Sequence, residues 1–205
     1  MKLSEAINIC KYSELNTLAV KDNLEAITSF INLGLLELYN IFALKTEEFL
    51  IELQDGVTIY DLPDDFMYIT GAFEVPDNGE NSKDVPINEE GNPYSINTIN
   101  FRQVQVPLSM TGSYVSIIYV VKPTYLSATA DLDTELPIPD NMVQPLLNFV
   151  AYKAHGAIKL DGQQSEGDVY YMRFKRSCDD LKQRGTAIAA DDLSMDTRLS
   201  TRGFP

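Results

Sequence analysis

Residues 22–44 read DNLEAITSFINLGLLELYNIFAL. Within them Leu24, Ile27, Ile31, Leu35, Leu38 and Phe42 follow one another at spacings of three, four, four, three and four. That spacing returns side chains to one side of a 3.6-residue helix, so the stretch is predicted to be an amphipathic α-helix of about 20 residues. Asp22 is placed to cap it, because a short carboxylate accepts from the free amides of a first turn. A shorter helix is expected before it, from about Ser4 to Tyr12, with Ser4 as its cap.

The period switches near Glu47. Phe49, Ile51 and Leu53 alternate with Leu50, Glu52 and Gln54, and Asp55-Gly56 precedes Val57 to Tyr60. Two runs joined by Asp-Gly predict a β-hairpin. Phe66 to Val75, Ser95 to Val106 and Tyr114 to Val121 are further strand candidates, rich in Ile, Val, Tyr and Thr. Pro76 to Pro93 is polar and turn-rich and predicts a long, mobile loop. Helical spacing returns after Leu136-Pro137-Ile138-Pro139, with Val143, Leu147, Val150, Ala154 and Ala157 on one face and Pro145 tolerated in a first turn. A last helix is expected from about Gln164 to Arg184, with Tyr171, Phe174, Cys178 and Leu181 as its face and Gly185 as its stop.

Four amphipathic helices, two at each end, need a shared core. The fold class predicted is α+β. Residues 1–45 and 141–186 would form a discontinuous four-helix bundle, and 46–140 an inserted antiparallel β-module. Residues 187–205 have only scattered apolar side chains and are read as an extended C-terminal arm.

The net charge is −14 over 205 residues. Residues 1–45 hold five acids and four bases, residues 46–140 seventeen acids and three bases, and residues 141–205 eight acids and nine bases. The excess therefore lies wholly in the middle, a poor surface for phosphate, which is bound through Lys and Arg. No apolar run approaches the ~18 residues of a membrane span. The opening residues do not read as a signal peptide, so a soluble protein made in the cytoplasm is expected.

Catalytic chemistry finds little to use. His155 is the single histidine, and Cys10 and Cys178 lie far from it in sequence. There is no G-x-S-x-G elbow, phosphate loop or dinucleotide fingerprint. His155 is read as a packing or surface residue, the two cysteines as buried apolar residues, and a zinc site as nearly excluded. Asp64-Asp65, Glu89-Glu90, Asp179-Asp180 and Asp191-Asp192 are read as solvated faces or turns. The run Asp131 to Glu135 lacks the glycine and spacing of a calcium loop. No catalytic, cofactor or metal residue is assigned.

The order of these segments is familiar. A helix from Asp22-Asn23-Leu24 to Leu44 leads into strands, and the Leu136-Pro137-Ile138-Pro139-Asp140 turn leads into Leu146-Leu147-Asn148-Phe149-Val150-Ala151-Tyr152. Tyr170-Tyr171-Met172-Arg173-Phe174 and a polar arm follow. This resembles the adaptor (head-to-tail connector) proteins of tailed bacteriophages, especially short-tailed ones. The resemblance implies a virion protein at the capsid vertex. Such proteins form a ring, typically of twelve copies, beneath the portal protein, and DNA passes through without specific binding. It also implies an arm that embraces the portal and an inserted module facing the tail (nozzle or fibre) proteins. The middle region here departs from that family in length and acidity. On the arm the partner-binding candidates are Leu193, Met195, Arg198, Leu199, Arg202 and Phe204, a few large side chains and two arginines that a partner could order. The competing classes are a glycan- or receptor-binding accessory module and, third, a wall-degrading hydrolase.

Overall fold

The structure is a computed structural model that describes residues 1–75, 82–110, 114–129, 131–156 and 166–185. It is of the α+β class, with four α-helices and two antiparallel sheets among the described residues. The chain divides into two compact units. One takes Met1–Leu44 together with the described residues from Pro123 onward, and the other takes Lys45–Lys122.

In the helical unit, α1 spans Leu3–Tyr12 and begins before the predicted cap. The amides of Leu3 and Ser4 donate to the carbonyls of Thr134 and Leu132, each at 2.9 Å. The Glu5 carboxylate accepts from the Lys2 amide at 2.8 Å. Another segment thus satisfies the first turn, and Lys2 takes the capping position, not Ser4. The cap of α2 (Leu24–Ile41) likewise falls one residue later than predicted. Asn23 accepts from the Ala26 amide at 3.0 Å, while Asp22 ends a 3-10 turn and pairs with Lys11 at 2.9 Å. The hydrogen bond from Lys11 holds the Asp22 carboxyl below its usual range.

Along α2 the predicted face is buried at Ile27, Ile31, Leu35, Leu38 and Phe42, but Leu24, in the first turn, is exposed. Helix α3 (Val143–Gly156) is buried continuously from Pro145 to Ala151, so it lies inside the unit and not on its rim. It comes close to α2 at Gly34, where a Cβ would stand 2.5 Å from Leu146 Cδ1 and 3.1 Å from Phe149 Cδ1. Helix α4 (Glu166–Gln183) packs on α3 through aromatic rings, Phe149 against Phe174 at 5.2 Å and Tyr152 against Tyr171 at 4.9 Å. Gly185, at φ +61°, ends it as expected, its amide donating to Lys182 at 3.0 Å.

The segment after Pro123 was expected to belong to the β-module as far as residue 140, yet it packs with the helices. Leu126, Leu136 and Met142 are buried in the helical core. The Asn32 side-chain amide donates to the Leu126 carbonyl and accepts from its amide, both at 2.9 Å, and Tyr39 donates to the Pro137 carbonyl at 2.9 Å. A few apolar anchors in an acidic stretch carry no period, so pattern reading could not place them.

In the second unit, β1 (Thr46–Glu52) does not form the predicted hairpin with β2 (Ile59–Asp61). Asp55-Gly56 does turn the chain, with Gly56 at φ +76°. The two strands then join different sheets. Strands β3 (Phe66–Val75), β4 (Lys83–Asp84), β5 (Asn97–Asn100), β6 (Gln103–Gln105) and β7 (Tyr114–Val121) complete them. The orders are β1-β7-β3-β4 and β2-β6-β5. Over seven residues β1 pairs with β7, from Thr46–Val120 to Glu52–Tyr114, a longer ladder than the three-residue β2 could supply. The predicted single run from Ser95 to Val106 is a hairpin, β5 to β6. Part of the predicted Pro76–Pro93 loop is strand β4, and residues 76–81 lie outside the described residues.

Alternate residues of β7, namely Val115, Ile117, Tyr119 and Val121, share a core with Ile51, Ala72, Ile96, Val104 and Val106, so one apolar layer serves both sheets.

The Gly34 contact gives a direct test. Gly34→Val should lower the unfolding free energy by about 1–3 kcal/mol through overpacking. Leu33→Ala, at a neighbouring exposed position, should stay within about 0.5 kcal/mol. Urea melts of the two variants compare them.

Candidate partner-binding surface

The six arm residues named from the sequence, Leu193, Met195, Arg198, Leu199, Arg202 and Phe204, lie outside the described residues. Among the described residues, the β-unit carries a surface depression that is a candidate binding site.

A shallow groove of about 200 Å³ lies between the Gln54–Val57 turn, with Leu53, and the segment of Val106, Pro107, Leu108 and Met110. Its geometry follows from the failed hairpin. Because β1 and β2 leave for different sheets, the turn between them is not closed by a ladder. The Tyr60 hydroxyl fixes it instead, accepting from the Gln54 amide at 2.9 Å and donating to the Val57 carbonyl at 3.1 Å. The Val106 amide donates to Thr58 at 2.8 Å and holds the opposite wall. Leu108 is 69% exposed and Val57 is also exposed, so apolar side chains line an open depression. Asp55 is the one charged residue in the described lining.

More apolar surface lies elsewhere on the same unit. Ile59 and Ile99 are exposed, and Phe101 is 76% exposed at the β5–β6 turn beside Arg102, which caps its ring and pairs with Asp64. Sequence reading named none of these as binding residues. The available signal was large apolar residues beside turn formers: Val57 after Asp55-Gly56, and Leu108 after Pro107.

The residues that could suggest catalysis are held otherwise. His155 is buried, with Nε2 at 2.9 Å from the Glu14 carbonyl, Nδ1 at 3.0 Å from the Glu166 carboxylate, and its ring stacked on Tyr170 at 5.0 Å. Both nitrogens are engaged, and the ring ties the end of α3 to the start of α4 and to the chain after α1. Burial pushes the Tyr170 hydroxyl up to about 12, with the Glu14 carboxylate adding to it. Cys10 and Cys178 are buried, and burial pushes both thiols up to about 12. In the Asp131–Glu135 run, Asp131 accepts from the Ser127 amide at 2.7 Å and Asp133 pairs with Lys2 at 3.2 Å. Among the described residues no group of His, Cys, Asp and Glu is arranged to hold a metal ion, and no helix is long and apolar enough to cross a membrane.

A family model described as SU10 adaptor protein matches residues 9–198. The chain belongs to the SU10 adaptor protein family. This agrees with the phage-adaptor resemblance drawn from the helix and turn segments, and it makes the chain a structural head-tail adaptor of a phage-like virion. No curated protein matches the adaptor. A solved structure described as the neck of an empty GTA particle computed with C6 symmetry is similar at 13% identity. The match covers 80% of the adaptor and 81% of that chain, with a TM-score of 0.30, a level that carries no further argument.

Two outcomes follow for the adaptor. At pH 8 a thiol reagent should leave Cys10 and Cys178 unmodified in the folded protein, because a thiol acidity near 12 leaves roughly one thiolate in ten thousand. Labelling should track unfolding, and prompt labelling of the native protein would contradict the burial. Tyr60→Phe should destabilise the β-unit by about 1 kcal/mol and accelerate hydrogen exchange at the Gln54 amide, which loses its acceptor.

Proposed function

We propose that this adaptor docks on a portal protein as a ring, typically of twelve copies, and attaches tail proteins through its β-unit while DNA passes without specific contact. The observation that carries the reading is the family match across residues 9–198.

The sequence and the fold support it in three ways. The reading of a four-helix bundle drawn from both ends of the chain is supported by one apolar core to which all four helices contribute. The segment 187–205 has Leu193, Met195, Leu199 and Phe204 as apolar anchors, with Arg198 and Arg202 able to pair with carboxylates. We assign this segment to the portal contact. The acid excess between residues 46 and 140 suits a conduit wall, since negative charge repels phosphates within about 10 Å. We place some of these acids toward the channel; a lumen lined mainly by Lys and Arg in an assembled particle would contradict that placement.

The test is to mix the adaptor with purified portal and follow particle mass. The expected result is stoichiometric capture, abolished by removing residues 187–205. Phe204→Ala alone should weaken capture by about tenfold or more, the loss typical of a buried aromatic anchor. Capture that survives the deletion would overturn the arm assignment, and absence of capture by the intact chain would overturn the portal reading.

A further inference from the structure

The acidic unit and the last few residues of the arm carry opposite charge, although Asp191, Asp192 and Asp196 give the arm as a whole a net of −1. Residues 45–122 carry thirteen acids and four bases, a net of −9. The stretch from Arg198 to Phe204, RLSTRGF, has two arginines, no acid, and two large apolar side chains. The groove beside Val57 and Leu108 offers apolar side chains within a lining surface that is more polar than apolar, with a carboxylate, Asp55, in it. Its volume, about 200 Å³, is enough for one aromatic ring, since an engineered cavity of about 150 Å³ takes benzene. Its wall is already fixed by the Tyr60 hydroxyl, so a docking side chain need not order it.

We propose that, before any partner is met, the Arg198–Phe204 segment docks on the β-unit, with the Phe204 ring in the Val57–Leu108 groove and the arginines facing the surrounding acids. The segment begins thirteen residues beyond Gly185, and an extended chain spans about 3.3 Å per residue. The docked segment covers exposed apolar surface on the groove and on itself, and the opposite charges select this face over the more balanced helical unit. Its meaning as a portal contact held in reserve rests on the function proposed above; the docking itself does not. A portal pocket that binds the same side chains more tightly would then draw the segment away, and part of the portal affinity would be spent on release.

The experiment uses the full-length protein alone, labelled with ¹⁵N and on Leu, Val and Met methyl groups. In the wild type, amides from Arg198 to Phe204 should relax as ordered chain, with order parameters above about 0.6. The methyls of Val57, Val106 and Leu108 should carry a ring-current displacement that disappears in Phe204→Ala. Leu108→Asp, at a position exposed enough to leave the fold intact, and the pair Arg198→Glu with Arg202→Glu should each return the segment to free-chain relaxation. A docked segment that does not release on dilution is the chain's own and supports the proposal, whereas one that releases comes from a second copy and overturns it. The proposal is overturned if the wild-type segment already relaxes as free chain. It is equally overturned if the segment is ordered but Phe204→Ala leaves the groove methyls unmoved. Since portal is absent from this experiment, a negative result removes the docking and leaves portal capture to its own assay.

Discussion

The helical unit depends on how firmly the chain is held when it comes back from its 45–122 excursion. Asn32, midway along α2, meets this with a side-chain amide that both donates to and accepts from the backbone of Leu126, each at 2.9 Å. One side chain thereby does what a ladder residue does in a sheet, and it places Leu126 in the apolar core. Further along, Tyr39 holds Pro137, and the Met1 carbonyl accepts from Leu136 at 2.9 Å. The first turn of α1 is completed by carbonyls of Leu132 and Thr134. The start of the chain and the return segment therefore finish one another's hydrogen bonding, and α3 enters a site already bounded by α1 and α2. Closing a long excursion costs entropy that grows only slowly with its length, so these few contacts suffice.

This also explains which parts of the fold were legible. Helix faces such as Ile27, Ile31, Leu35 and Leu38 repeat over several turns, and burial of the whole stripe leaves one helical reading. Features decided by a remote partner were not legible. Ser4 reads as a cap until Leu132 and Thr134 supply the acceptors for the first turn. Asp55-Gly56 reads as the centre of a hairpin until β7 offers β1 a seven-residue ladder. In each case a correct local signal lost to a longer-range contact of greater total strength. The groove was illegible for a related reason: it exists because the hairpin does not form.

Charge distinguishes the two units as sharply as secondary structure does. Within the β-unit Arg102 pairs with Asp64 and Lys45 with Glu47. Exposed pairs of this kind contribute little. They leave most of the acid excess uncompensated, and a net negative field acts over distances comparable to the Debye length. Such a surface deters phosphate and favours a cationic polypeptide. The function proposed above, a ring threaded by DNA but bound to proteins, would need that discrimination, and it can be set by side chains pointing outward without disturbing the apolar layer between the sheets.

The same layer limits how self-sufficient the β-unit can be. A unit this small buries a smaller fraction of its surface than a large domain does. It keeps Ile59, Ile99, Phe101 and Leu108 exposed, while its internal layer is built mostly from Val and Ile. A stand-alone domain would gain solubility by making those four positions polar, at no cost to its core. Exposed apolar side chains on an acidic surface have a simple physical use in an assembly protein. Apolar area left uncovered in the free subunit is driving force still available when a partner arrives, and the surrounding acids decide which partners can approach closely enough to use it.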